Sequence, residues 1–267
     1  YYSSIMRDQL YDSMKESMEL YNEQITKGFK EALTYLSANC IQNADISVLN
    51  TTEDDNELYL RTARIKKTLT TGNYSLSDTG GLFVYSCQQD IFIPQINDLW
   101  DNSQNNLKCS QLIKELLQEN NRNNTLDQLN LNKWFLLSEG NDYFLVRILQ
   151  SRNTYAGAWA NLDRISSFFK SFEEMGAIIL YVDDQGRSIG NPDFADIHLD
   201  PHTALNEPSY YQTGLFQKYL TVSMKLDGSD YFIMALIPTD YTDTKLAPLY
   251  GLMIFILILL LLFSILI

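Results

Sequence analysis

Arg147 and the aromatic side chains around it are the residues best suited to bind something in this sequence. They fall in DYFLVRILQSRNTYAGAWANLDRI, Asp142 to Ile165. Two apolar runs flank Ser151-Arg152-Asn153, which reads as a hairpin turn. Pairing Gln150 with Thr154 sets Leu149 opposite Tyr155, Arg147 opposite Gly157 and Leu145 opposite Trp159. Directly opposed residues share a face, and alternation adds Tyr143 to the set. On this register Gly157 leaves room beside Arg147, and Tyr155 and Trp159 flank the gap. A guanidinium so placed would hold a carboxylate or a hydroxyl-rich ligand by paired hydrogen bonds and stacking. The competing reading is a sheet face covered by a helix, with Arg147 paired to an acidic residue. A slip of one residue would send Arg147 to the face opposite Trp159.

Tyr85, Trp134 and Trp100 belong to the same β-rich stretch and suit either a pocket wall or a core. Asp163 follows the strand and suits either a pocket mouth or a helix cap. Cys40, Cys87 and Cys109 are far apart and form no C-x-x-C pair; a Cys87–Cys109 disulfide is one arrangement open to them outside the cytoplasm. His198 and His202 have the i, i+4 spacing of a helical metal site, but Pro201 between them favours a solvated loop. Asp183-Asp184 and Glu173-Glu174 fall at turns or helix ends and read as solvated charge. No G-x-S-x-G, Walker loop or H-E-x-x-H occurs. No catalytic residue, metal ligand or cofactor is therefore assigned.

The bulk composition narrows the class. Lys+Arg is 20 against 33 Asp+Glu, a net charge of −13, which argues against nucleic acid and anionic headgroups as partners. A hydrophobic fraction of 45% with 12% aromatic residues excludes a disordered chain. Three Cys are too few for a disulfide scaffold, and 267 residues suit one large domain or two ordinary ones.

Several elements must position these residues. Tyr1 to Asn43 reads as one helix of roughly 60 Å, with Met14, Met18, Tyr21, Ile25, Ala32 and Leu36 in one row and Phe29, Leu33 and Leu36 in another. A helix over Asn56–Thr71 is expected to end at Gly72-Asn73. LFVYS, DIFIP, KWFLLS, Tyr143–Gln150 and Thr154–Leu162 read as strands, and CSQLIKELLQEN as a helix. Asp163–Glu174 is amphipathic. Ala177–Val182 with Arg187–Ile189, and Tyr219–Leu226 with Tyr231–Ile237, read as hairpins closed by DDQG and DGSD. Asn191–Gln212 reads as a long loop with a short helix. Leu249–Ile267 carries no charge and is long enough to span a bilayer, with Tyr241, Tyr250 and Pro248 at its start. The expected order is a stalk helix over 1–43, a β unit over 44–162, a second over 163–245 and a transmembrane helix over 246–267. Hairpin-joined strands with segregated helices define an α+β class. Residues 1–245 are expected outside the cytoplasm of a cell-membrane protein, with a further span before Tyr1.

This order resembles the double Cache sensor domain, which has a long helix, two PAS-like antiparallel sheet subdomains and a transmembrane helix after them. The Asp142–Ile165 segment, with its GAW core, resembles the ectodomains of YesM-like sensor histidine kinases, as do AIILYVDDQGRSIG and YFIMALIP. The resemblance implies a non-catalytic, extracytoplasmic ligand-sensing domain of a bacterial two-component receptor, whose phosphotransfer parts would follow Ile267. It makes 44–162 the membrane-distal and 163–245 the membrane-proximal subdomain. The partners expected are a small molecule in the distal subdomain, the lipid bilayer, and a second copy meeting it through the N-terminal and membrane helices. The resemblance carries over no ligand motif, and the candidate ligand-binding residues, read from the residues themselves, are Arg147, Trp159, Tyr155, Tyr143, Tyr85, Trp134 and Asp163. Membrane-bound AraC-type regulators resemble the same pattern, and a membrane-anchored protein-interaction domain without a small ligand is the other alternative.

Overall fold

The computed structural model describes residues 2–76, 79–96, 103–129, 131, 133–194, 198–213 and 217–239. Trp100 and the apolar run over 249–267 lie outside them. Among the described residues no helix is long and apolar enough to cross a membrane. The chain divides into two compact units.

The first unit holds Tyr21–Phe168 and Leu226–Asp230. Helix α1 (Tyr2–Tyr35) runs into it and continues as a π-helix over Leu36–Ile41, so the expected 43-residue helix is α-helical only to Tyr35. Ile25, Phe29, Ala32 and Leu36 form its buried stripe here, at three- and four-residue spacing. Helices α2 (Ala44–Leu49) and α3 (Asp55–Ser75) follow, capped by Asn43 and Asp54. Helix α3 runs straight through Gly72, where a stop was expected. A Cβ at Gly72 would overlap the Tyr35 ring, whose hydroxyl donates to Thr68 O at 2.6 Å. This glycine serves close approach rather than helix termination.

Strands β1 (Gly81–Ser86), β2 (Ile91–Ile96), β3 (Phe135–Glu139), β4 (Asp142–Ser151) and β5 (Thr154–Asn161) make an antiparallel sheet in the order β2-β1-β5-β4-β3. β5 is central and buried along its whole length. Its letters alternate two functions. Ala156, Ala158 and Ala160 are small, and the π-helix packs on β4 and β5. Tyr155, Gly157, Trp159 and Asn161 turn to the other face, which helix α4 (Ser103–Asn123) covers with Cys109, Ile113 and Leu117.

Asn50 ties α2 to this sheet. It is buried; its Nδ2 donates to Thr154 Oγ1 at 2.7 Å, and its Oδ1 accepts from Ser86 Oγ at 2.5 Å. Asp45 ties α2 to α3. Arg64 grips it through Nε and Nη2, both at 2.8 Å, and Arg61 Nη1 adds a third bond at 3.0 Å.

Of the described residues, the second unit holds those up to Leu20, those within Phe169–Lys225, and 231–239. The short helices α5 (Leu162–Ser167, in the first unit) and α6 (Lys170–Glu173) stand where one amphipathic helix was expected. Strands β6 (Ile178–Asp183), β7 (Ser188–Ile189), β8 (Ser209–Thr213), β9 (Gln217–Lys225) and β10 (Tyr231–Pro238) form a sheet in the order β7-β6-β10-β9-β8. Counted from its own first strand, this is the order of the first sheet. β8 was expected as loop; its polar letters, Ser209 to Gln212, are paired with β9 at the sheet edge. Helix α7 (Pro201–Asn206) is capped by Asp200 and packs on β9 over a core of Leu180, Val182, Phe232, Met234 and Leu236. Tyr11, Met14 and Met18 of α1 are buried, and Tyr11 donates to Ala204 O at 3.4 Å.

Asn50→Ala strands two buried hydroxyls and lowers the unfolding free energy by about 2 kcal/mol, read as a lower urea midpoint at unchanged slope. The Asp45 carboxyl lies below the usual carboxylate range because Arg64 hydrogen-bonds it, with the charges of Arg64 and Arg61 adding and partial burial opposing. Its contribution is complete above the unfolded carboxylate value and disappears as pH falls through the lowered folded one. Asp45→Asn therefore flattens the loss of stability below about pH 4, measured by urea titration across pH.

Candidate ligand-binding face

The β4–β5 hairpin decides which side chains share a face. Its turn is two residues, Arg152-Asn153, and Ser151 pairs with Thr154. Arg152 sits at φ 53°, which closes the turn one residue tighter than expected. The register is therefore shifted. Arg147 lies opposite Ala158, Val146 opposite Trp159, Ile148 opposite Gly157 and Gln150 opposite Tyr155. Arg147 and Tyr143 share the face of the three alanines, whereas Tyr155 and Trp159 point to the face under α4. The expected Arg147–Trp159–Tyr155 gap does not form.

Arg147 is half-buried. Its Nε has no hydrogen-bond partner among the described residues, nor does the side chain make an ion pair there. Burial pulls its pKa below the ordinary arginine value. The room left by Gly157 is taken from the other side: a Cβ there would overlap the Phe83 ring. Phe83 in turn lies against Trp159, with ring centroids 6.4 Å apart, and Phe92, at 5.5 Å. Tyr85 is fully buried in the same layer and donates to Asp90 Oδ1 at 2.8 Å. Burial, then that bond, raises its pKa.

Polar groups gather at the far end of β5. Trp159 is fully buried and its Nε1 finds no partner among the described residues. The indole stands over Gly80-Gly81, and a Cβ on Gly80 would come within 2.7 Å of Nε1. Two residues on, Asn161 points to the same face. Its Oδ1 accepts the Asp163 N–H at 2.8 Å and caps α5, the cap expected of Asp163, while its buried Nδ2 has no partner. Asp163 lies beside it in the first turn of α5, its carboxyl raised by burial and by the charge of Asp142. Asp142 is engaged by Lys108 of α4 at 2.6 Å. The arrangement offers two buried N–H donors from one strand end, suited to a carboxylate or carbonyl oxygen. Asn161 escaped the sequence reading because an asparagine in an alternating strand carries no letter signature of its own.

Trp134 is elsewhere. Its ring stacks on Phe29 with centroids 4.1 Å apart, and its backbone N–H donates to Gly228 O at 2.8 Å. Lys133 pairs with Asp230 at 2.6 Å. No disulfide joins Cys40, Cys87 and Cys109, and burial raises the Cys40 thiol to about 12. His198 and His202 are both exposed, and α7 starts between them at Pro201.

No family model and no curated protein matches the sequence. Solved structures do. The sensor domain of the V. cholerae histidine kinase DctB matches with a TM-score of 0.51 at 11% identity, over 87% of this chain and 98% of that one. The ligand-binding domain of the Pseudomonas fluorescens chemoreceptor CtaA, solved with L-isoleucine, matches at 0.50 and 10% identity, over 91% and 98%. The fold is that of the extracellular sensor domains of histidine kinases and chemoreceptors, the double Cache fold.

The packing of Phe83 into Gly157 is open to a double-mutant cycle. Gly157→Ala costs about 1–3 kcal/mol by overpacking. Phe83→Leu in the same chain recovers part of that cost, so the two changes are less than additive in urea unfolding.

Proposed function

We propose that this chain is the extracytoplasmic ligand-sensing domain of a bacterial transmembrane receptor, of the kind that ends in a histidine kinase. The observation that carries the reading is the pair of buried donors, Trp159 Nε1 and Asn161 Nδ2, at the end of the central strand of a sensor-type fold. Buried N–H groups are costly when unpaired, and a ligand oxygen relieves that cost. A small molecule bound at this end of β5, beside Asp163, would favour one state of the first unit. The sheet that ends in β10 and the apolar run over 249–267 would carry the change to the membrane. Such a switch requires different affinities for two states and a coupling of about 1–3 kcal/mol. The N-terminal and membrane helices would join two copies. The stripe of α1 that contains Met14, Met18, Ile25 and Phe29 is already buried within the chain, so a second copy would meet another side of that helix.

The aromatic filling around Phe83 favours the second reading, a membrane-anchored domain that contacts proteins only. Thermal unfolding against a panel of amino acids, carboxylates and sugars separates the two. A ligand at a hundred times its Kd adds about 2.7 kcal/mol of stability, a shift of several degrees. Trp159→Phe keeps the ring packing and removes the donor, so the shift produced by the active compound shrinks while the unliganded midpoint barely moves. A panel in which no compound raises the midpoint overturns the small-molecule reading.

A further inference from the structure

The opposite end of β5 carries a concavity of different chemistry. Beside the Arg152-Asn153 turn lies a cleft of about 460 Å³. Its walls are amide side chains: Gln88, Asn121, Asn124, Gln150 and Asn153. Tyr155 and Leu126, both buried, also line it. A second cleft of about 430 Å³ shares Gln88, Arg152 and Asn153 and adds Asn50, Ser47 and Thr51. Neither cleft has an acidic residue on its wall, in a chain that carries 33.

Arg152 is the charge common to both clefts. It is exposed and makes no ion pair among the described residues. The turn that presents it is pinned, because Cys87 N donates to Asn153 O at 3.1 Å. Arg152 and Asn124 both sit at φ 53°, a conformation sparsely used by residues with side chains. The backbone of the turn is therefore held at the point where it presents Arg152.

We propose that this turn cleft binds a single sugar ring bearing a carboxylate, a ligand of the uronate class. Arg152 pairs with the carboxylate in a bidentate bond. Asn121 Nδ2 already donates to Cys87 O at 2.9 Å and Gln150 Nε2 to Arg152 O at 3.4 Å; an amide has two N–H groups and a carbonyl oxygen, so the wall keeps donors and acceptors for hydroxyls that do both. Tyr155 and Leu126 receive the apolar face of the ring. The volume falls within the range of small-molecule sites. Tyr155 is four residues from Trp159, about 13 Å along the strand, so this site is distinct from the buried donors and does not depend on the sensor reading.

Isothermal titration of the full chain in detergent with D-glucuronate, D-glucose and acetate tests the assignment. D-Glucuronate binds about tenfold more tightly than either single-feature probe. Arg152→Asn, a residue that tolerates the left-handed backbone, brings glucuronate down to the level of glucose. Gln150→Ala weakens both sugars, and Trp159→Phe changes neither. Added salt weakens glucuronate but not glucose in the unmutated chain, a measurement that needs no variant. No heat from any probe at millimolar concentration, equal affinity for glucose and glucuronate, or glucuronate binding unchanged by Arg152→Asn would each overturn the proposal. Loss of glucuronate binding in Trp159→Phe alone would move the ligand to the other end of the strand and overturn it as well.

Discussion

The two-sided burial of β5 is the constraint on which the first unit depends. Thr154–Asn161 has no solvent face, so each of its eight residues must fit one packed layer or the other. The alanine side accepts the backbone of a helix at close range. The aromatic side accepts α4. Only one register satisfies both, because a shift by one residue would push Tyr155 and Trp159 into the space sized for alanines. The tight Arg152-Asn153 turn selects that register. The separation of Arg147 from Trp159 onto opposite faces descends from this one pairing.

The second sheet repeats the strand order of the first with different means. Its central strand, β10, is also buried along most of its length, but its neighbours on the α7 side combine the hydroxyls of Thr221 and Ser223 with the Tyr219 ring. Ser223 Oγ has no partner among the described residues. The same topology thus holds an aromatic layer in one unit and a mixed layer in the other. Specific chemistry is concentrated where Trp, Tyr and Asn alternate, not where the topology is repeated.

Much of this was legible in the letters. Apolar period placed α1, α3 and α4, and the Gly-containing turns placed the hairpins of both sheets, because burial of one face imposes a period that composition must obey. The failures have physical causes. Gly72 looked like a stop, but its role was space for Tyr35, which is a property of a residue 37 positions away. β8 looked like loop because an edge strand need not be apolar. The Arg147 pocket failed because a three-residue and a two-residue turn are equally consistent with SRN, and the difference inverts every face after it. Asn50 was invisible because its hydrogen-bond partners, Thr154 and Ser86, lie far off in sequence, and Asn161 because one asparagine at the end of an alternating strand gives no sign that its amide is buried without a partner.

The short segment Leu226–Asp230 links β9 to β10 of the second sheet, yet it belongs to the first unit, where the Gly228 carbonyl and the Asp230 carboxylate receive the Trp134 backbone N–H and the Lys133 ammonium. The backbone consequently passes from one unit to the other at four places rather than one. Neither body is a cassette. Cutting after Phe168 would leave the Trp134 backbone N–H without the Gly228 carbonyl that completes it, so inheritance, exchange and engineering of the first unit must bring the β9–β10 link along.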